Sequence, residues 1–163
     1  MTAKVKIREI KEKDNLAVAH LIREVMTEWG AVGEGYSIED PEVDNMYEAY
    51  ANEGAIFFVI EKAGKIIGCG GFAALKGEDI GVCELQKMYF YPELRGLGWG
   101  RKLLEKCLKI AKGMGYKKCY LETCSSMTKA VYLYQKNGFE ALDTQMGNTG
   151  HTGCDAFFIK ELF

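Results

Sequence analysis

Tyr91-Pro92-Glu93-Leu94-Arg95-Gly96-Leu97-Gly98-Trp99-Gly100-Arg101 decides the fold, because it joins a strand pattern to a helical pattern through three glycines flanked by arginines. Glycine leaves the backbone bare, and the first turn of an α-helix carries N–H groups without an intrahelical acceptor. Such a terminus suits phosphate. The helix dipole contributes about 0.3–1 kcal/mol per nearby charge, and Arg95, Arg101 and Lys102 can supplement it. No Gly-Lys-Ser/Thr follows, which excludes a Walker A loop. A dinucleotide fingerprint would need a glycine where Arg101 stands and an early place in the chain, although Glu122 on the next strand could mimic its ribose-binding acid.

Upstream, VCELQKMYFY (82–91) reads as a strand ending at Pro92, and AIFFVIEK (55–62) with KIIGCGGFAAL (65–75) reads as an antiparallel hairpin about Ala63-Gly64. Downstream, Leu103, Leu104, Cys107, Leu108 and Ala111 mark a helix face that ends at Gly113 or Gly115. KKCYLET is the next strand. Ala130, Val131, Leu133 and Tyr134 place a helix over 128–137 closed by Gly138, and strands follow from Phe139 and over DAFFIKEL. At the other end, Val5, Ile7 and Ile10 suggest a first strand. Leu16, Ala19, His20, Ile22 and Val25 suggest a helix capped by Asp14, and Asp40-Pro41 opens a short acidic helix bearing Val43, Met46, Tyr47 and Tyr50. The order predicts an α/β (α+β layered) fold: a mixed, mainly antiparallel sheet of about seven strands flanked by about four helices, in a single domain over 1–163.

The 163 residues are 48% apolar and 27% charged with two prolines, the composition of a packed globule. A net charge of −2 argues against general attraction to nucleic acid or a membrane surface. The near-neutral total hides two charged stretches. Gly30 to Glu61 holds eight acidic residues and no Lys or Arg, whereas Leu85 to Tyr120 holds nine Lys and Arg against Glu93 and Glu105. Two opposite stretches could face two different ligands. No signal peptide or membrane span is apparent, and the six cysteines form no Cys-x-x-Cys pair. Reduced thiols, a cytoplasmic location and no bound metal are the corresponding expectations.

Arg95-Gly96-Leu97-Gly98-Trp99-Gly100 resembles the pyrophosphate-binding Arg/Gln-x-x-Gly-x-Gly/Ala element of the GNAT superfamily of acyl-CoA N-acyltransferases. CELQKMYFYPELRG is similar to that family's fourth strand, and AVYLYQKNGFEAL to its last helix and following strand; together the likeness spans roughly residues 55–145. It implies a GNAT-like fold in which two central strands splay apart and acetyl-CoA enters as acyl donor. The pantetheine arm would meet backbone groups of Met88, Tyr89 and Phe90. Pyrophosphate would take the backbone N–H groups from Gly96 through Leu97, Gly98, Trp99 and Gly100 to Arg101, with a weaker contribution from the Arg95 side chain. Many relatives carry Asn seven residues before the helical Tyr, where this chain has Met127.

An amine of pKa near 10.4 is protonated at neutral pH, so its attack on a thioester needs a proton acceptor. The resemblance implies Glu84 as that base, directly or through water; an exposed glutamate paired to Lys87 is the alternative. The leaving CoA thiolate, with pKa near 8.5, can be protonated by a Tyr hydroxyl of pKa about 10 for only about 2 kcal/mol. Tyr134 holds the family position of that acid, and Tyr132 points about 160° away on the same helix. Cys124 invites a covalent acyl-enzyme, but no His is near it in sequence, so direct transfer in a ternary complex is expected.

By the same resemblance the acceptor pocket comes from EWGAVGEGYSIEDPEVDNM and TQMGNTGHTGCD. The first is acidic and holds Trp29 and Tyr36, which suits a small cationic amine with an aromatic or apolar portion; a solvated acidic helix face is the alternative. His151 reads as a loop residue or substrate contact. The expected activity is acetyl-CoA-dependent N-acetylation of a small amine, amino acid or peptide amine, with a non-catalytic acyl-CoA-binding module as the alternative. A homodimer through an exposed edge strand is left open.

Overall fold

The computed structural model describes residues 3–163. One sheet runs in the order β1-β2-β3-β4-β5-β7-β6, with β1 Val5–Glu9, β2 Ile56–Lys62, β3 Lys65–Ala74, β4 Val82–Phe90, β5 Lys118–Thr123, β6 Glu140–Leu142 and β7 Ala156–Glu161. The β4–β5 pairing is parallel and the others are antiparallel. The helices are α1 Asn15–Glu28, α2 Met46–Ala49, α3 Trp99–Gly113 and α4 Thr128–Lys136, as the layered α+β reading expects. Among the described residues no helix is long and apolar enough to cross a membrane.

Both faces of the sheet are covered, and β2 shows why its sequence is a continuous apolar run. Phe57 and Val59 pack with Val18, Leu21, Ile22 and Val25 of α1, while Phe58 and Ile60 pack with Leu103, Leu104 and Cys107 of α3. Burying each such side chain contributes about 1.5–3 kcal/mol. The β2–β3 hairpin turns through Ala63 and Gly64, both at positive φ (52° and 78°), the backbone of a type I′ turn.

The N-terminal third departs from its sequence reading in three places. The buried stripe of α1 is Val18, Ala19, Leu21, Ile22, Val25 and Met26. Leu16, two residues and about 200° from Val18, is 83% exposed, and His20 also faces solvent. Asp14 makes no side-chain cap to α1; its buried carboxylate takes the Lys11 N–H at 2.7 Å and the Arg8 guanidinium at 2.8 and 3.0 Å. After Asp40 the chain forms a 3₁₀ segment, Pro41–Asn45, before α2; Val43, Met46 and Tyr50 are buried but Tyr47 is not. The Asp40 side chain does not cap it.

The centre of the sheet opens at β4. Its pairing with β5 covers only Val82–Glu84 against Lys118–Tyr120. On the other side, Cys69 pairs with Tyr89 and Gly71 with Gln86, so Lys87 and Met88 bulge opposite Gly70. Lys87 has φ 52°, a left-handed backbone that costs a residue with a Cβ about 1–2 kcal/mol. The bulge interrupts the ladder, which resumes at Tyr89, and re-aims side chains towards the opening.

Candidate active site

The turn between β4 and α3 sets up one half of the site. Gly96 and Gly98 have φ 76° and 85°, and a Cβ at either would meet nothing within 4 Å, so the space over the turn is open. The first backbone bond of α3 runs from Lys102 N–H to the Gly98 carbonyl at 3.2 Å, and among the described residues no backbone carbonyl accepts from an N–H of Gly96 to Arg101. Free donors at a helix start form an anion cradle. The turn borders a groove of about 580 Å³ lined by Met88, Tyr89 and Phe90 of β4, by Arg95, Gly96, Gly98, Gly100 and Arg101, and by α4 from Lys129 to Lys136. That volume is in the range of sites that hold sizeable organic ligands.

A second, smaller cavity of about 70 Å³ lies deeper, lined by Glu84, Gln86 and Lys87 of β4, Glu122 of β5, His151 and Tyr36. Trp29, Met88, Tyr89, Met127, Ala130 and Tyr134 line both spaces, so the cavity and the groove share a wall. Tyr134 stands on that wall, buried, with its hydroxyl 3.8 Å from the Met88 sulfur. Burial raises its pKa, so the hydroxyl stays a donor.

Glu84 is 5% exposed, and desolvation pushes its carboxyl up to about 7 despite a hydrogen bond from Gln86 Nε2 at 2.5 Å. The Gln86 amide is held the right way round for that bond, because the buried Tyr50 hydroxyl donates to its Oε1. One Glu84 oxygen is thereby engaged and the other is left for a ligand or water. A carboxylate that titrates near neutrality and a protonated phenol thus line one cavity, and groups of these kinds can serve as base and acid.

A ring of ion pairs surrounds them. Lys87 Nζ lies 3.0 Å from Asp40 Oδ2 and 3.2 Å from Glu42 Oε1, with its side chain 2% exposed. His151 Nε2 lies 2.9 Å from Asp40, and Nδ1 lies 3.6 Å from Glu122. The Asp40 hydrogen bond first, then Glu122, raises His151 to about 9, so it is an imidazolium at neutral pH. Burial by itself would raise Asp40 and Glu122; hydrogen bonds from His151, with Lys87 on Asp40 and Tyr120 and Thr149 on Glu122, prevail and hold both carboxyls low. Ligand atoms of Glu84, Glu122 and His151 lie within 4.8 Å of one another, but Glu122 already accepts from Tyr120 (2.7 Å), Gln145 (2.7 Å) and Thr149 (2.7 Å).

The residues singled out in the sequence fall out as follows. Glu84 and Tyr134 line one cavity, and the alternative of an exposed Glu84 paired to Lys87 is overturned: Glu84 is buried and Lys87 turns to Asp40 and Glu42. Arg95 borders the groove, but its guanidinium is taken by Glu28 (2.5 and 3.0 Å) and the Phe90 carbonyl (3.0 Å), over the Trp29 ring. Arg101 pairs with Glu105 at 2.8 Å. Leu97 and Trp99 belong to the turn but not to the groove lining; Leu97 is exposed and Trp99 lies under Lys102. Tyr132 is exposed at the groove rim, Met127 lines both spaces, and Cys124 lines the cavity as a free thiol. Sequence reading missed the Tyr50–Gln86 relay, the inward turn of Asp40 and the Lys87 bulge. Their partners lie up to 111 residues apart, and no local spacing signals them.

Comparison with known proteins agrees with this fold. The model of the acetyltransferase (GNAT) family matches residues 18–139. The chain is 41% identical over 157 residues to the uncharacterized N-acetyltransferase YjgM of Escherichia coli (strain K12), covering 96% of this chain and 94% of that one. Its fold is similar to that of a GNAT-family acetyltransferase of Staphylococcus aureus Mu50 (TM-score 0.84, 23% identity, 98% and 100% of the two chains). It is also similar to YncA of Salmonella typhimurium, solved with its cofactor acetyl-CoA (TM-score 0.78, 21% identity, 98% and 95%).

Proposed function

The chain belongs to the acetyltransferase (GNAT) family, and from that membership we propose that it moves the acetyl group of acetyl-CoA to a small primary amine by direct attack in a ternary complex. The observation that carries the proposal is the shared wall: Tyr134 faces both the groove, with its free backbone donors, and the cavity that holds Glu84. Pyrophosphate sits over Gly96–Arg101, the pantetheine arm runs along Met88–Phe90, and the thioester reaches the wall. The amine, bound as an ammonium, first loses one proton; Glu84 accepts it, directly or through a water. The amine nitrogen then bonds to the thioester carbonyl carbon, the C–S bond breaks with its electron pair leaving on sulfur, and the thiolate takes the Tyr134 proton. Products are the N-acetyl amine and CoA thiol, with the amine's remaining surplus proton restoring Tyr134 through solvent.

Buried ion pairs around Lys87 and His151 make the acceptor side net acidic, which favours a cationic amine over an anionic acceptor. Cys124 is not needed as a nucleophile: burial raises its thiol pKa, and a thiol is a poor nucleophile until ionised.

The test combines acetyl-CoA and CoA binding by thermal shift with mass spectrometry of products from an amine panel. A ligand at about 100 Kd stabilises by about 2.7 kcal/mol. Stabilisation together with a product heavier by one acetyl group supports transfer. Tight acetyl-CoA binding with no product from any amine supports the non-catalytic module instead.

A further inference from the structure

An acceptor that is an amino acid brings a carboxylate within a few bonds of its amine, and a buried site that welcomes that charge must offer an unpaired cation. The cavity beside Glu84 is lined by two cationic side chains among the described residues, Lys87 and His151, and both are already spent. Lys87 is held by Asp40 and Glu42 at 3.0 and 3.2 Å, and His151 lies between Asp40 at 2.9 Å and Glu122 at 3.6 Å. Three carboxylates thus surround two cations, and Glu84 adds a fourth when ionised. Ser37, Tyr89 and Gln86 are engaged as well, so the side-chain donors left on the wall are neutral ones, the hydroxyls of Tyr36 and Tyr134 and the Trp29 indole. Ser37 and Tyr89 share a hydrogen bond at 3.1 Å, and Gln86 spans Tyr50 and Glu84. What remains is an apolar and aromatic wall of Met26, Trp29, Ala31 and Tyr36.

Resting on the acetyl-transfer reading above, we infer that the acceptor is a primary amine with no carboxylate next to the amine, its body apolar, aromatic or cationic, and that free α-amino acids are rejected. A carboxylate placed here would give up its water, face a net negative site, and gain a cation only by displacing Asp40, Glu42 or Glu122. Specificity arises by repulsion as much as by fit.

Matched pairs differing by one carboxylate test the inference on the full chain with saturating acetyl-CoA: isobutylamine and valine, phenethylamine and phenylalanine, agmatine and arginine, with each amino-acid methyl ester as a charge control. The amine should exceed its amino acid at least tenfold in kcat/KM, and the ester should recover most of the loss. Equal use of acid and amine, or esters as poor as the acids, overturns the inference. Binding without turnover gives an independent reading: with CoA present, the amines and esters should raise the melting temperature and the amino acids should not, and the reverse order overturns the inference. No acetylation of any compound while that binding order holds overturns transfer and leaves the acceptor class supported. Asp40→Asn should lower the amine-to-acid ratio several-fold by releasing Lys87 and His151. Glu42→Gln, at a more exposed position, should do so more weakly and guards against misfolding of the first variant; an unchanged ratio in both overturns the charge argument.

Discussion

Glu84 can take a proton only when it carries none, and its pKa near 7 puts that condition at neutral pH. The rate is therefore expected to rise with pH through a midpoint near 7. Glu84→Gln should lower kcat/KM by roughly two orders of magnitude or more and abolish that limb, and Tyr134→Phe should lower kcat by about 10- to 100-fold with acetyl-CoA affinity nearly unchanged. Initial rates from pH 5.5 to 9 read both outcomes. Gln86→Leu is the sharper probe. The Gln86 hydrogen bond favours the ionised carboxylate, so its loss should move the limb to higher pH, whereas a purely structural effect would lower the rate at every pH without moving the midpoint. Glu84 and Tyr134 could be proposed from the chain as candidates because each sits inside a continuous motif. Gln86 could not, since its importance depends on Tyr50, 36 residues away, fixing which end of the amide faces Glu84.

At the scale of elements, two irregularities create the site. The Lys87–Met88 bulge interrupts the ladder with β3, and β5 leaves β4 after Glu84, so the sheet opens between β4 and β5 where a flat sheet would have paired. The other irregularity is the glycine turn into α3. Gly98→Ala places a Cβ on a residue at φ 85°, which should cost about 1–2 kcal/mol of stability from backbone strain alone. No protein atom lies within 4 Å of that Cβ, so the methyl group enters the space proposed for pyrophosphate, and CoA affinity should fall as well. Calorimetric titration with CoA and a denaturant melt separate the two effects; unchanged CoA binding would contradict the assignment of the turn. Strand and helix positions followed from apolar periodicity and glycine punctuation, and the β2–β3 turn from Ala63-Gly64. The α1 face was misjudged at Leu16 and His20 because two ladders share residues Ala19, Ile22 and Val25, and only the packed sheet selects between them.

At the scale of the molecule, the acidic and basic stretches meet. Lys87 from the basic stretch is buried against Asp40 and Glu42 from the acidic one, and Asp40 also holds His151 from the far end of the chain. This junction ties the segment after α1, the β4 bulge and the loop between β6 and β7 around one cavity. It also predicts an alkaline weakness. His151 is raised from 6.5 to about 9 in the folded chain, so its stabilisation is complete below about pH 6.5 and is lost as pH rises through 9, to at most about 3 kcal/mol. Thermal melts at pH 6 and 9.5 should show a larger drop for the parent than for His151→Gln; equal drops would remove His151 from the account.

The amino-acid sequence by itself determined the order of elements, the glycine turn into α3 and the family, because these depend on residues close together along the chain, where periodicity, glycine and helix-end chemistry act locally. Only the tertiary structure decided that Glu84 is buried enough to titrate near neutrality, that Arg95 is occupied by Glu28, and that the cavity's cations are already neutralised. Desolvation and ion pairing depend on which distant groups share a low-dielectric space, and that is a property of packing.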